Sequence, residues 1–82
     1  MNVTERTIAI HLINDVTEFV HLNMKQKFNA DLCSGRHVAD AKSQLGIYSI
    51  DITKPTKLVI HADESDEDVQ KYLESIDKWI IK

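Results

Sequence analysis

Two stretches of this chain repeat apolar residues at helical spacing, and only short strand-like runs lie between them. Val16, Phe19, Val20, Met24 and Phe28 make the first stripe. Val69, Tyr72, Leu73, Ile76 and Ile80 make the second, with Trp79 at its edge. Each stripe needs an apolar surface to cover, and a chain of 82 residues builds one core rather than two. Both helices must therefore share one face of one sheet within a single domain, 1–82. The first is predicted from Val16 to Lys27, opened by Asn14 or Asp15 as cap and closed by Asn29. The second follows the acidic run 63–68, where Ser65 and Asp68 have the spacing of a capping box and the carboxylates complement the helix's positive end.

The strands come from what remains. Thr7 to Leu12 alternates, with Ile8, Ile10 and Leu12 on one side, which is the period of a strand covered on one face. Asp31 to Ser34 and His37 to Ala39 flank Gly35-Arg36, a tight turn, and form a small hairpin. Ile50 and Ile52 lead to Pro55, which belongs in a turn or at a strand edge, and Leu58 to His61 is the last strand-like run. The order is strand, helix, strand, strand, short helix, strand, helix. Short connections make the paired strands antiparallel, so the fold class is α+β, an open-faced sandwich of four antiparallel strands under two long helices and one short one.

The short helix lies in Ala41 to Ser49, between the hairpin and Ile50. Ser43 stands where it begins, and a hydroxyl there accepts from a first-turn N–H. The same position suits a regulatory phosphate facing the helix's positive end, with Lys42 beside it. Leu45, Ile47 and Tyr48 are too apolar for a plain loop; Leu45 and Tyr48 are expected to be partly buried beneath the helix, and any left outside would form a patch for a partner.

Composition narrows the function. A net charge of -3 leaves no basic stripe to neutralise phosphates, which argues against nucleic acid, and only Lys54-Pro55-Thr56-Lys57 is locally basic. No run is long and apolar enough to span a membrane, and Glu5 and Arg6 stand where a signal peptide would carry its apolar core. The single Cys33 cannot close an internal disulfide, which favours a reducing compartment, the cytoplasm. Cys33 and His37 could face one another across the hairpin and, with His11 or His61, suggest a metal site, but their spacing matches no metal motif. His11 falls on the first strand and His21 off the first apolar stripe, both solvent-facing. No nucleophile signature or oxyanion loop supports an enzyme, and no cofactor is expected.

The blocks Lys27-Phe28-Asn29-Ala30-Asp31, Lys42-Ser43-Gln44-Leu45-Gly46-Ile47-Tyr48-Ser49 and Asp66-Glu67, in this order of elements, resemble HPr, the histidine phosphocarrier of the bacterial sugar phosphotransferase system. The hairpin is about two residues shorter than the family's, and one residue is lost before the final helix. The resemblance implies the open-faced sandwich and two sites. In the family a Gly-Ile-His-Ala-Arg-Pro motif caps the first helix, and its histidine carries the phosphoryl group. Counting back from Lys27, this chain has Leu12-Ile13-Asn14-Asp15-Val16-Thr17 there. Asn14 replaces the histidine, Val16 the arginine and Thr17 the proline, and Asp15 adds a charge that repels phosphate. The resemblance therefore implies a protein without phosphocarrier activity, unless a displaced histidine such as His11 accepts phosphate from enzyme I. The second site is a serine phosphorylated by a dedicated kinase in many Gram-positive bacteria, matched by Ser43 after Lys42. A family branch lacking the histidine keeps this serine and acts in catabolite repression with a transcription factor. Partner contacts are thus expected at Asn14, Asp15, Lys42, Gln44, Leu45 and Tyr48, where the start of the first helix meets the Ser43 helix. Gln44 and Tyr48 depart from the family's more apolar, flexible residues.

Overall fold

A computed structural model describes residues 2–52 and 54–81. β1 (Thr4–Ile8), α1 (Ile13–Met24), β2 (Ala30–Ser34), β3 (His37–Asp40), α2 (Gln44–Tyr48), β4 (Thr56–Ile60) and α3 (Glu67–Ser75) follow in turn, and a 3-10 turn, Asp77–Trp79, ends the series. The strands form one sheet in the order β1-β4-β2-β3, every neighbouring pair antiparallel. This is the predicted open-faced sandwich. Ile8, Leu32, Leu58 and Ile60 point from the sheet into the core, where Val16, Phe19 and Val20 of α1 meet Val69 and Tyr72 of α3 and Ile76 just beyond it. The hairpin turns at Gly35-Arg36, and Gly35 takes φ +61°, the left-handed conformation that a type II′ turn requires at its first central position.

Several boundaries differ from the sequence expectation. β1 begins and ends earlier than Thr7–Leu12, because its register against β4 runs from Thr4↔Ile60 to Ile8↔Thr56. Ile10 is still buried, but Leu12 has left the covered side and is 64% exposed. α1 also starts early. Its cap is Leu12, which offers no side-chain bond, and the Leu12 carbonyl accepts from the N–H of Asp15 at 3.0 Å and of Val16 at 3.2 Å. Asn14 and Asp15 therefore lie inside the first turn and cap nothing. The helix stops at Met24 rather than Lys27. Phe28 leaves it to meet the Tyr72 ring edge-on, with centroids 5.2 Å apart. Asn23, not Met24, takes the buried place at that end of the stripe.

α3 is capped by Asp66, whose carboxylate accepts from the Asp68 N–H at 2.8 Å, and not by Ser65. Ser65 is occupied one turn earlier: its N–H and its hydroxyl both donate to Asp63 Oδ1 at 2.8 Å. The helix ends at Ser75, so Ile80 is not on its stripe. Instead Trp79–Ile81 runs as a strap along the outer edge of β1. Ala9 N–H donates to the Trp79 carbonyl at 2.9 Å and Ile81 N–H to the Thr7 carbonyl at 2.8 Å, around an antiparallel bridge of Ile80 to Ile8.

The Asp63 turn carries a pH signature. The Ser65 N–H, then its hydroxyl, hold the Asp63 carboxyl below its ordinary value of 3.8, with the Asn2 amide adding to them. A carboxylate depressed by folding stabilises the fold above its unfolded pKa, and that contribution is lost as pH falls through the folded value. The NMR midpoint of Asp63 should lie below 3.8 and rise only part of the way in Ser65→Ala, since the backbone donor stays. A wild-type midpoint at or above the ordinary value would remove this turn from the protein's acid response.

Candidate functional site

α2 begins as the sequence implies. The Ser43 Oγ accepts from the Gly46 N–H at 3.1 Å, and Ser43 itself is extended at φ -112°. Gly46 keeps room for that cap: a Cβ built there would stand 3.2 Å from Ser43 Oγ and 3.7 Å from the Ala39 methyl. Ser43 is half-buried. Lys42 does not reach over it. Its ammonium donates instead to the Gln26 carbonyl and to Asn29 Oδ1, both at 3.2 Å, and ties α2 to the loop that follows α1.

Gln44 joins the two helices directly. Its Nε2 donates to Thr17 Oγ1 and to the Tyr48 hydroxyl, each at 3.0 Å. Thr17 is one turn beyond Ile13 on the same helix face, so this bond sets the beginning of α1 beside α2. Of the apolar residues at that junction, one faces inward. Ile47 is fully buried, while Leu45 is 84% exposed, Ile13 72% and Tyr48 46%. The expectation that Leu45 and Tyr48 would be partly buried beneath the short helix is overturned, because one turn and a half of helix has a single inward face and Ile47 takes it.

The predicted contact residues are thus brought together in part. Gln44, Leu45 and Tyr48 lie on α2, which the Gln44–Thr17 bond joins to the start of α1, whereas Lys42 is drawn towards Gln26. Asn14 is exposed on the first turn of α1, and Asp15 lines a separate cleft of about 310 Å³ with Ala9, His11, Leu12, Lys78 and Trp79. Lys78 is held there by both Glu18 carboxylate oxygens, at 2.9 and 3.1 Å, with its ammonium 4.7 Å from the centre of the Trp79 ring. Sequence reasoning missed Thr17, Ile13 and this Lys78–Trp79 wall.

Cys33 and His37 do not face one another. Cys33 lies opposite Val38 and His37 opposite Ser34, so the two side chains leave the hairpin on different faces. His61 pairs with Asp31, Nε2 to Oδ2 at 2.7 Å, and no group of three metal-ligating side chains occurs among the described residues. No helix among the described residues is long and apolar enough to cross a membrane.

No protein-family model matches this chain, and no curated protein matches it. Among solved structures, it is similar to the crystal structure of HPr-C-His from Thermoanaerobacter tengcongensis. The TM-score is 0.70 and the sequence identity 21%, over 95% of this chain and 92% of that one. The fold is therefore HPr-like over nearly its whole length.

Proposed function

We propose that this chain is an HPr-like protein of the bacterial phosphotransferase-system family that has lost phosphoryl carriage at its first helix and acts through protein contacts in the cytoplasm. The observation that carries this reading is the exposed apolar junction of Ile13, Leu45 and Tyr48, fastened by the Gln44–Thr17 bond. Exposed large side chains on two helices that a hydrogen bond holds together fit a contact surface. The first turn of α1 supports the loss of chemistry. Asn14 has no nucleophilic imidazole, and Asp15 sets a negative charge where a phosphoryl group would arrive. Ser43 is the regulatory position in this reading. Phosphorylation there would replace the Gly46 cap with about two negative charges beside the patch, and so change which partner the patch accepts.

A second reading has one observation in its favour. Because α1 opens at Leu12, His11 stands immediately before the helix and lines the cleft with Lys78. In that reading His11 takes the phosphoryl group.

Two parallel reactions followed by intact-protein mass separate these readings. With enzyme I and phosphoenolpyruvate the chain should stay unlabelled. With the family's serine kinase and ATP it should gain one phosphate that Ser43→Ala does not accept. Acid-labile label from enzyme I that disappears in His11→Ala would replace the first reading with the second. No label from the kinase would remove Ser43 as a regulatory residue.

A further inference from the structure

A second concave surface lies away from the α1–α2 junction and shares no residue with it. It is a groove of about 620 Å³ between α3 and the strap that follows it, lined by Arg6, Gln70, Leu73, Glu74, Asp77, Ile80 and Ile81. We propose that this groove docks a segment of a partner protein that presents one large apolar side chain next to lysine or arginine.

The floor is apolar and fixed. Leu73 belongs to the core, Ile80 is bridged to Ile8, and Ile81, 45% exposed, is held as a lip by its N–H bond to Thr7. The groove therefore exists before a ligand arrives, and the ordering cost of closing a loop is absent. Its two walls differ in charge. On the β1 side Arg6 is neutralised by Glu64, and the Gln70 amide donates to the Glu64 carbonyl, which closes that rim. On the helix side the exposed Glu74 carboxylate makes the wall acidic.

The surroundings strengthen that sign. The segment 63–77 holds seven of the chain's thirteen acidic residues and one basic residue of its own, Lys71, with Glu64 paired to Arg6 and Glu67 to Lys71. An incoming cationic segment is steered towards this side, and an acidic one is repelled. The apolar floor then separates a specific occupant from a merely basic one, because only a large side chain removes Ile80, Ile81 and Leu73 from water.

The probes are three synthetic tetrapeptides with blocked ends: Lys-Lys-Leu-Lys, Lys-Lys-Ala-Lys and Glu-Glu-Leu-Glu. Each is titrated into the full chain and read by amide chemical shifts. The leucine peptide should give saturable shifts centred on the residues around Leu73, Asp77 and Ile81. The alanine peptide should bind about tenfold more weakly, and the acidic peptide should leave the groove unshifted. Glu74→Lys, at an exposed position in the last turn where a cation suits the helix end, should keep the fold by circular dichroism and weaken the leucine peptide about tenfold. Equal binding of the leucine and alanine peptides overturns the proposal, as do shifts centred on 63–68 or on α2, or an affinity unchanged in Glu74→Lys.

Discussion

Asn23→Ala is expected to destabilise the protein by about 3–5 kcal/mol, from two lost hydrogen bonds of about 1 kcal/mol each and a stranded buried hydroxyl of about 1–3. Asn23 is 1% exposed, its amide donates to the Phe19 carbonyl at 2.8 Å, and its Oδ1 accepts from the Tyr72 hydroxyl at 2.7 Å. The Phe19 carbonyl keeps its ordinary helical partner after the change, the Asn23 N–H, so the damage falls on Tyr72. A domain of this length has a total stability of roughly 4–12 kcal/mol, so this one change removes a large share of it. Urea unfolding measures the loss, and the double variant with Tyr72→Phe tests the cause. Without the hydroxyl nothing is stranded, and the double variant should be more stable than the sum of the two single losses by about 1–2 kcal/mol. Strict additivity would show that the pair is not coupled. The same burial raises the Tyr72 pKa far above its ordinary value of 10.0, against the small lowering from Asn23. A group whose pKa is raised by folding stabilises the fold fully below its unfolded pKa, and that contribution is lost as pH rises towards the folded value. Stability should therefore fall above pH 10.0 in the wild type, and less steeply in Tyr72→Phe.

Trp79→Ala should cost about 3–5 kcal/mol, the range for a large buried aromatic, and should also change the protein's association state. Trp79 is 6% exposed and packs edge-on against Phe19 with centroids 5.8 Å apart. It is the most buried side chain of the strap, which is also attached by backbone bonds to Ala9 and Thr7 and by Ile80 packed against the core. With that side chain gone, the outer edge of β1 is uncovered, and an uncovered edge offers unpaired N–H and C=O groups to another chain. Size-exclusion chromatography with light scattering should find dimers or larger species of the variant at concentrations where the wild type keeps its size. A destabilised variant of unchanged size would show that the strap does not guard the edge.

The sequence announced the architecture more clearly than the boundaries. Two helical stripes and several short alternating runs left a single layered solution, and the sheet adopts it. The errors came from residues whose partners lie far away in the chain. Phe28 fits the α1 stripe by spacing, but the distant Tyr72 ring draws it out of the helix. Ile80 continues the α3 stripe by spacing, but the free edge of β1 takes it instead. Ser65 has a capping box's spacing, but Asp63 takes its hydroxyl and Asp66 caps the helix. At the candidate site Ser43 was legible because a cap is a local matter. The exposure of Leu45 was not, because five residues of helix do not reveal which side faces the core.

The position of β1 also governs when this protein can fold. β1 is completed on one side by β4, at Thr56–Ile60, and on the other by the strap at residues 79–81. During synthesis the β2–β3 hairpin can close as soon as it emerges, since its partners are neighbours in the chain. β1 must wait, unpaired, until β4 and then the strap have been made. β1 therefore stays open while the segment between it and β4 is made, and its pairings close longer loops than the others in the sheet.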